Sequence, residues 1–229
     1  MDFKRPLLLI IIIAVAVVYI ADISGFFIKP GVPEANTSRV LATVEVRNYQ
    51  GERLSSITDF RENSIKGPQH VNISTYRLEV GGLVATPLSL TYDEARIIPG
   101  YQKVITLHCV EGWDATILWE GIKVSELLNK AGVRPDANTV IFYAYDGYST
   151  SLPLDYIEKN DILLAYGMNN VTLPEDRGYP FQLIAEDKWG YKWIKWVTKI
   201  ELSNDQSYRG YWEQRGYSIG GDTSNSFFA

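Results

Sequence analysis

The sequence is poor in the residues that usually build metal, redox and disulfide sites. Its 229 residues include one cysteine, Cys109, and two histidines, His70 and His108. One cysteine excludes an intramolecular disulfide framework, a CxxC pair and a Cys/His zinc pattern. Two histidines exclude a His-rich metal site. No CxxCH occurs, so the chain cannot attach a c-type haem by itself. Neither GxGxxG nor GxxxxGK[ST] is present, and there is no internal repeat. The formal net charge of −5 is mild and gives no footing for nucleic acid.

Aromatics are what the chain has in quantity: six Trp and 15 Tyr, enough to fill a large core. Length fits one domain behind an anchor. Residues 7–21 carry no charge, and apolar character resumes over residues 23–28. About 20 apolar residues cross a bilayer. A cleaved signal peptide is the rival reading. The small-x-small pattern Ala14-Val15-Ala16 lies inside the apolar run, however, and Tyr19 makes Ala21 a poor cleavage point. An uncleaved transmembrane helix is expected. Lys4 and Arg5 before it place the N-terminus in the cytoplasm and the soluble domain outside, on a single-pass cell-membrane protein. Asn36, Asn72 and Asn170 begin N-x-S/T triplets, which permit glycosylation of such a domain.

The expected organisation is a stub and anchor over residues 1–28, a linker and first strand over 29–50, the main domain over 51–217 and a mobile Ser/Gly/Asn-rich tail over 218–229. Strands are expected over residues 40–46, 76–80, 104–107, 139–145, 148–154, 161–166, 171–173, 181–185 and 192–202. Asp146-Gly147 marks one hairpin turn and Gly167-Met168-Asn169-Asn170 another. Thr91 with Glu94 has the capping-box form, opening a short helix that stops near Pro99-Gly100. Ser125 caps a second helix over 126–131, which Gly132 closes. Residues 51–74 are polar and irregular, a functional loop or an exposed wrap-around. Short strands with a few short helices mean α+β, mostly β.

The chain is organised around residues 104–121, VITLHCVEGWDATILWEG. Cys109 ends an apolar strand and precedes the turn-like pair Glu111-Gly112 and the aromatics Trp113 and Trp119. A lone thiol there is either a small buried hydrophobe or a thiolate that ligates a soft metal or attacks a substrate. His108 and Cys109 alternate to opposite faces of the strand, which argues against His108 as a co-ligand.

The run Cys109-Val110-Glu111-Gly112-Trp113, followed by Trp119-Glu120-Gly121 and a short Leu-rich helix, resembles the core of the sulfite-oxidase-type molybdopterin-binding domain. The resemblance extends over residues 76–202. It implies a sulfite-oxidase-like fold, a molybdenum-molybdopterin cofactor, and Cys109 as the thiolate ligand to the metal and the catalytic residue. It also implies that Gly190-Tyr191-Lys192, near Lys188 and Lys195, holds the pterin phosphate. A dianion wants N–H groups and a cation held close; the competing reading is a solvated, lysine-protected strand edge.

Arg177-Gly178-Tyr179-Pro180-Phe181-Gln182 is similar to the family's Gly-x-Pro segment, with two departures. Gln182 stands where the family commonly has arginine, and Arg177 where some members have asparagine. Asn63 and Ser64 fall in the loop that contributes pterin contacts, and Asp146 approaches the pterin or simply makes its turn. Gly210-Tyr211-Trp212 and Gly216-Tyr217 resemble a closing segment without an assigned role.

The implied activity is oxygen-atom transfer on a small substrate, of sulfite-oxidase or sulfoxide-reductase type. Sulfite would favour several arginines around the anion; Arg61, Arg177 and Arg96 are the ones near the motifs. Without a haem motif, electrons need another protein, a cytochrome or a membrane redox subunit. Two alternatives stay open. One is a cofactor-free binding module that keeps the fold, for which Gln182 speaks. The other is a thiol-redox protein using Cys109, which lacks a resolving cysteine.

Overall fold

Alternating apolar residues pair into two five-stranded sheets. The computed structural model describes residues 44–229. After a small ladder of β1 (Asn48–Tyr49) and β2 (Glu52–Arg53), the chain lays down β3 (Leu78–Gly82), β4 (Leu88–Leu90), β5 (Gly100–His108) and β6 (Asp114–Lys123). Strands β7 (Thr139–Ala144), β8 (Ser149–Pro153), β9 (Leu163–Met168), β10 (Val171–Thr172), β11 (Gln182–Ile184) and β12 (Val197–Ser203) follow. One sheet has the order β10-β9-β6-β5, with β11 also on β9; the other has the order β4-β3-β12-β7-β8. Pairing is antiparallel except for β3 with β12. Helices α1 (Tyr92–Arg96), α2 (Val124–Ala131) and α3 (Leu154–Lys159) are short. The class is α+β, mostly β.

Local chemistry explains the elements. Thr91 and Glu94 form the reciprocal capping box expected for α1. Helix α2 buries Val124, Leu127, Leu128 and Ala131 and ends on left-handed Gly132. It starts two residues earlier than expected: Lys123, not Ser125, is the N-cap, because β6 runs directly into it. Both expected hairpins form. All six residues of β9 are buried: strands pair along both of its edges, and its side chains on both faces join the core.

Other expectations change. Residues 44–47 are not a strand, and residues 40–43, like the apolar run at 7–28, lie outside the described residues. Among the described residues no helix is long and apolar enough to cross a membrane. The strand expected over 192–202 is two things. Gly190–Lys192 is a 3-10 turn, and β12 begins only at Val197. Trp196 separates them with φ +53° while its indole donates to the Glu175 carbonyl at 2.7 Å. Residues 218–229, expected as a mobile tail, are fastened instead: Trp189 N donates to the Gly221 carbonyl at 2.8 Å, Ser218 N to that of Phe227 at 2.9 Å, and Ala229 N to that of Gly216 at 2.9 Å.

The β6–β9 ladder shifts register between Glu120 and Gly121. A Cβ on Gly121 would lie 2.4 Å from the Leu164 carbonyl oxygen and 2.6 Å from the Ala165 Cα. The paired β9 backbone cannot yield cheaply, so Gly121→Ala is expected to cost about 3 kcal/mol by overpacking. Urea unfolding of the variant, with an unchanged m-value and a lowered midpoint, checks this.

Candidate active site

The β5–β6 hairpin carries Cys109 at its tip. Nine paired positions run from Gly100 opposite Ile122 to His108 opposite Asp114. The loop beyond them is closed by Cys109 N to the Trp113 carbonyl at 2.9 Å and by Gly112 N to the Cys109 carbonyl at 3.0 Å. Left-handed Gly112, at φ +83°, makes that turn possible. The Cys109 sulfur then faces a cavity of about 400 Å³.

Five chain segments wall this cavity: residues 60–65, the 109–113 loop, the 146–148 turn, residues 177–196, and residues 212 and 217. Of the nine residues the sequence singles out, eight line it: Asn63, Ser64, Cys109, Asp146, Arg177, Gln182, Gly190 and Tyr191. Lys192 does not.

Cys109 is 8% exposed and its sulfur accepts from Asn63 Nδ2 at 3.6 Å and Glu111 N at 3.5 Å. Burial pushes the thiol up, the Glu111 N–H opposes it, and the Glu111 carboxylate adds to it. Without a cation beside it the sulfur stays protonated near neutrality, which disfavours a thiol-redox role. A soft metal cation supplies the missing countercharge. The Ser64 hydroxyl is buried without a partner, a donor facing no acceptor. Gly190 sits where a Cβ would come within 3.3 Å of the His108 carbonyl, so this turn passes close to the cysteine strand. Thiolate, two side-chain donors and a close-passing backbone turn suit a soft metal held by a polar organic ligand.

Three assignments change in kind. Asp146 is buried and its Oδ1 accepts the Tyr148 N–H at 2.9 Å, so its turn role accounts for it. Arg177 does not offer a free charge. Its guanidinium donates to the carbonyls of Ile57 (3.0 Å), Phe60 (2.8 Å) and Arg61 (3.2 Å), and stacks 4.0 Å from the Phe60 ring centroid. It mounts the 57–61 stretch just before Asn63. Lys192, expected at the surface, has a side chain that is 0% exposed. Its Nζ donates to Glu213 Oε1 at 2.7 Å and to the Ile219 carbonyl at 2.9 Å. Burial pulls its pKa down, and the Glu213 carboxylate pulls it back up. A lysine lacking water must have a carboxylate, and Glu213 is too far along the chain for local spacing to announce it.

His108 stays outside, paired with Asp114 at 2.7 Å. Lys188 pairs with Asp222, and Lys195 with Glu62. No cavity role was read from the sequence for the aromatic walls formed by Phe60, Trp113, Trp212 and Tyr217. The Gly-aromatic repeats before the last two were the available signal. Among the described residues no cluster of three His, Cys, Asp or Glu side chains could hold a metal ion.

The model of the oxidoreductase molybdopterin binding domain matches residues 65–212. The chain belongs to that family. It is therefore an oxidoreductase, and the family implies a molybdenum cofactor. The uncharacterized oxidoreductase YuiH of Bacillus subtilis is 32% identical over 156 residues, 68% of this chain and 78% of the relative. A putative protein-methionine-sulfoxide reductase subunit, YedZ1, of Azospira oryzae is 34% identical over 66% of this chain and 57% of its own length. Rat mitochondrial sulfite oxidase is 28% identical over 69% of this chain, which spans only 34% of that enzyme. The solved sulfane dehydrogenase SoxCD of Paracoccus pantotrophus shares the fold, with a TM-score of 0.58 at 23% identity over 61% of this chain and 41% of its own.

The family match begins after Asn63 and Ser64 and ends before Glu213 and Tyr217. Two parts of the cavity wall, residues 60–64 and Tyr217, therefore come from outside it. Arg177 ties one of them down from within. Replacing Arg177 by Ala removes the donors of three carbonyls, and a buried charge-assisted bond is worth about 1.5–3 kcal/mol. The variant is expected to lose at least that much stability and to become cleavable within residues 57–66 under limited proteolysis that spares the wild type.

Proposed function

We propose that this domain binds the molybdenum-molybdopterin cofactor and reduces a neutral organic sulfoxide by oxygen-atom transfer. Cys109 is the thiolate ligand, and Asn63, Ser64, Gln182, Gly190 and Tyr191 hold the pterin. When bound, the metal centre supplies two-electron exchange of an oxygen atom. The net reaction takes a sulfoxide, two electrons and two protons to a sulfide and water.

The charge balance of the cavity carries the choice of substrate. Its three basic residues, Arg61, Arg177 and Lys195, face three acidic ones, Glu62, Glu111 and Asp146. Arg61 lies 3.7 Å from Glu111, Lys195 pairs with Glu62, and Arg177 is spent on carbonyls. No surplus positive charge awaits an oxyanion such as sulfite, whereas the aromatic walls suit an apolar substituent. The relation to a methionine-sulfoxide reductase subunit supports the same reading.

The experiment is turnover of the molybdenum-loaded protein, with a reduced viologen reducing methyl sulfoxides and, separately, with an oxidised acceptor and sulfite. Sulfoxide kcat/KM is expected to exceed that for sulfite by at least tenfold, since each charge-assisted bond withheld from an anion is worth about 1.5–3 kcal/mol. Preference for sulfite overturns the substrate assignment. Cys109→Ser, nearly isosteric, is expected to keep its melting temperature while activity falls by orders of magnitude and the Mo(V) signal changes. A lower melting temperature with an unchanged signal returns Cys109 to the core.

A cofactor-free binding module is the second reading. Gln182 in place of an arginine and Lys192 turned to Glu213 both remove charge from the pterin side. Metal analysis separates the two, at one molybdenum per chain or none. We further propose that residues 7–28 anchor the domain outside the cytoplasm beside a cytochrome or membrane redox subunit. The uncharged run behind Lys4 and Arg5 supports this. Protease added to intact cells is then expected to remove the domain; its protection until lysis reverses the orientation.

A further inference from the structure

Lys192 is the residue whose chemistry is least explained by an anion site. Its ammonium is sealed between Glu213 and the Ile219 carbonyl, and Thr150 Oγ1 donates at 2.7 Å to the same Glu213 oxygen. Glu213 is 1% exposed, and its other oxygen has no partner. The stem of Lys192 is covered as well: a Cβ on Gly221, already at φ +64°, would lie 2.7 Å from Lys192 Cγ.

Around this pair, residues 187–192 and the C-terminal segment are stitched together. Tyr191 Oη donates to the Ser218 carbonyl at 2.7 Å, Trp189 Nε1 to the Asn225 carbonyl at 3.1 Å, and Lys188 pairs with Asp222. The segment so held presents Trp212 and Tyr217 to the cavity, their rings 5.1 Å apart, with Tyr217 edge-on to Tyr191 at 5.0 Å. Almost all of these partners lie beyond residue 212, where the family match ends.

We propose that Lys192 and Glu213 form a latch that fastens residues 213–229 as a wall of the cavity, and that Lys192 does not bind the cofactor phosphate. Its statement about the phosphate rests on the cofactor reading above; its statement about the wall does not. Removing one member of a buried pair leaves an uncompensated charge, whereas replacing both with apolar groups of similar volume is often neutral. A phosphate ligand has no such rescue.

Three proteins decide it: Lys192→Met, Glu213→Gln, and the double variant Lys192→Met with Glu213→Leu. Each is expressed with the cofactor available, then read by melting temperature, by tryptic release of the segment after exposed Arg215, and by molybdenum content. The single variants are expected to lose Tm on the order of 10 °C and to release the segment at least tenfold faster than wild type. The double variant is expected to regain most of the Tm, the protection and the wild-type molybdenum content. A single Lys192→Met protein with wild-type Tm and protection overturns the latch. A double variant that folds and keeps its segment but loses molybdenum overturns it too, by showing Lys192 to be a phosphate ligand. If Lys192→Met does not fold, the Glu213→Gln and double variants carry the comparison. If the wild type takes up no molybdenum, the cofactor reading fails, while Tm and proteolysis still decide the latch.

Discussion

Where Cys109 stands depends on the β5–β6 ladder. That ladder is held along one edge by fully buried β9, and its outer edge is bridged at His108 by Trp189. Because the register runs unbroken to His108 opposite Asp114, the cysteine has one available height and one available face. Gly112 then lets the chain reverse without a side chain in the way. The rest of the cavity is arranged against that fixed sulfur: Asn63 reaches it from a loop, and Gly190 passes behind it on a turn. A rigid strand pair carrying the reactive atom, with loops around it, is the arrangement that holds a site to within a fraction of an ångström.

The loops would not hold themselves. Residues 57–65 contain no regular element, and they are mounted by side chains from elsewhere. Glu45 accepts the Ile57 N–H at 2.9 Å, and Arg177 grips three carbonyls. The C-terminal segment is mounted from residues 187–192. In both places a charged side chain substitutes for the backbone ladder that a strand would have supplied. The cost of burying each charge is offset by several hydrogen bonds at once.

This explains which parts were legible in sequence. Strands announced by alternation, the Thr91–Glu94 capping box and the Asp146-Gly147 turn depend on residues close in the chain, and local spacing reveals them. The convergence of Asn63, Gln182 and Gly190 near Cys109 was legible only through resemblance. Arg177 and Lys192 were placed in the right neighbourhood, but their partners within the protein were not foreseen. A basic residue beside a glycine reads as an anion site in sequence, yet the carbonyls of 57–61 and the carboxylate of Glu213 are distant along the chain. The tail misled for a similar reason: Ser, Gly and Asn suit exposed loops, and they equally suit a segment whose backbone carbonyls, at Ser218, Ile219 and Gly221, do the bonding.

The reassigned charges bear on chemistry as well as on architecture. Had Arg177, Lys192 and Lys195 faced the cavity unpaired, the site would have been strongly cationic and suited to a doubly charged oxyanion. Each instead is compensated within the protein, and Lys192 is removed from the cavity wall altogether. What remains facing the Cys109 sulfur is a ring of aromatic side chains with a few amide and hydroxyl donors. Such a wall suits an apolar substituent beside one polar bond, in keeping with the sulfoxide substrate proposed above. Because Phe60 to Ser64 and Tyr217 line the cavity from outside the family match, we assign the cofactor to the matched core and substrate access to these flanking residues.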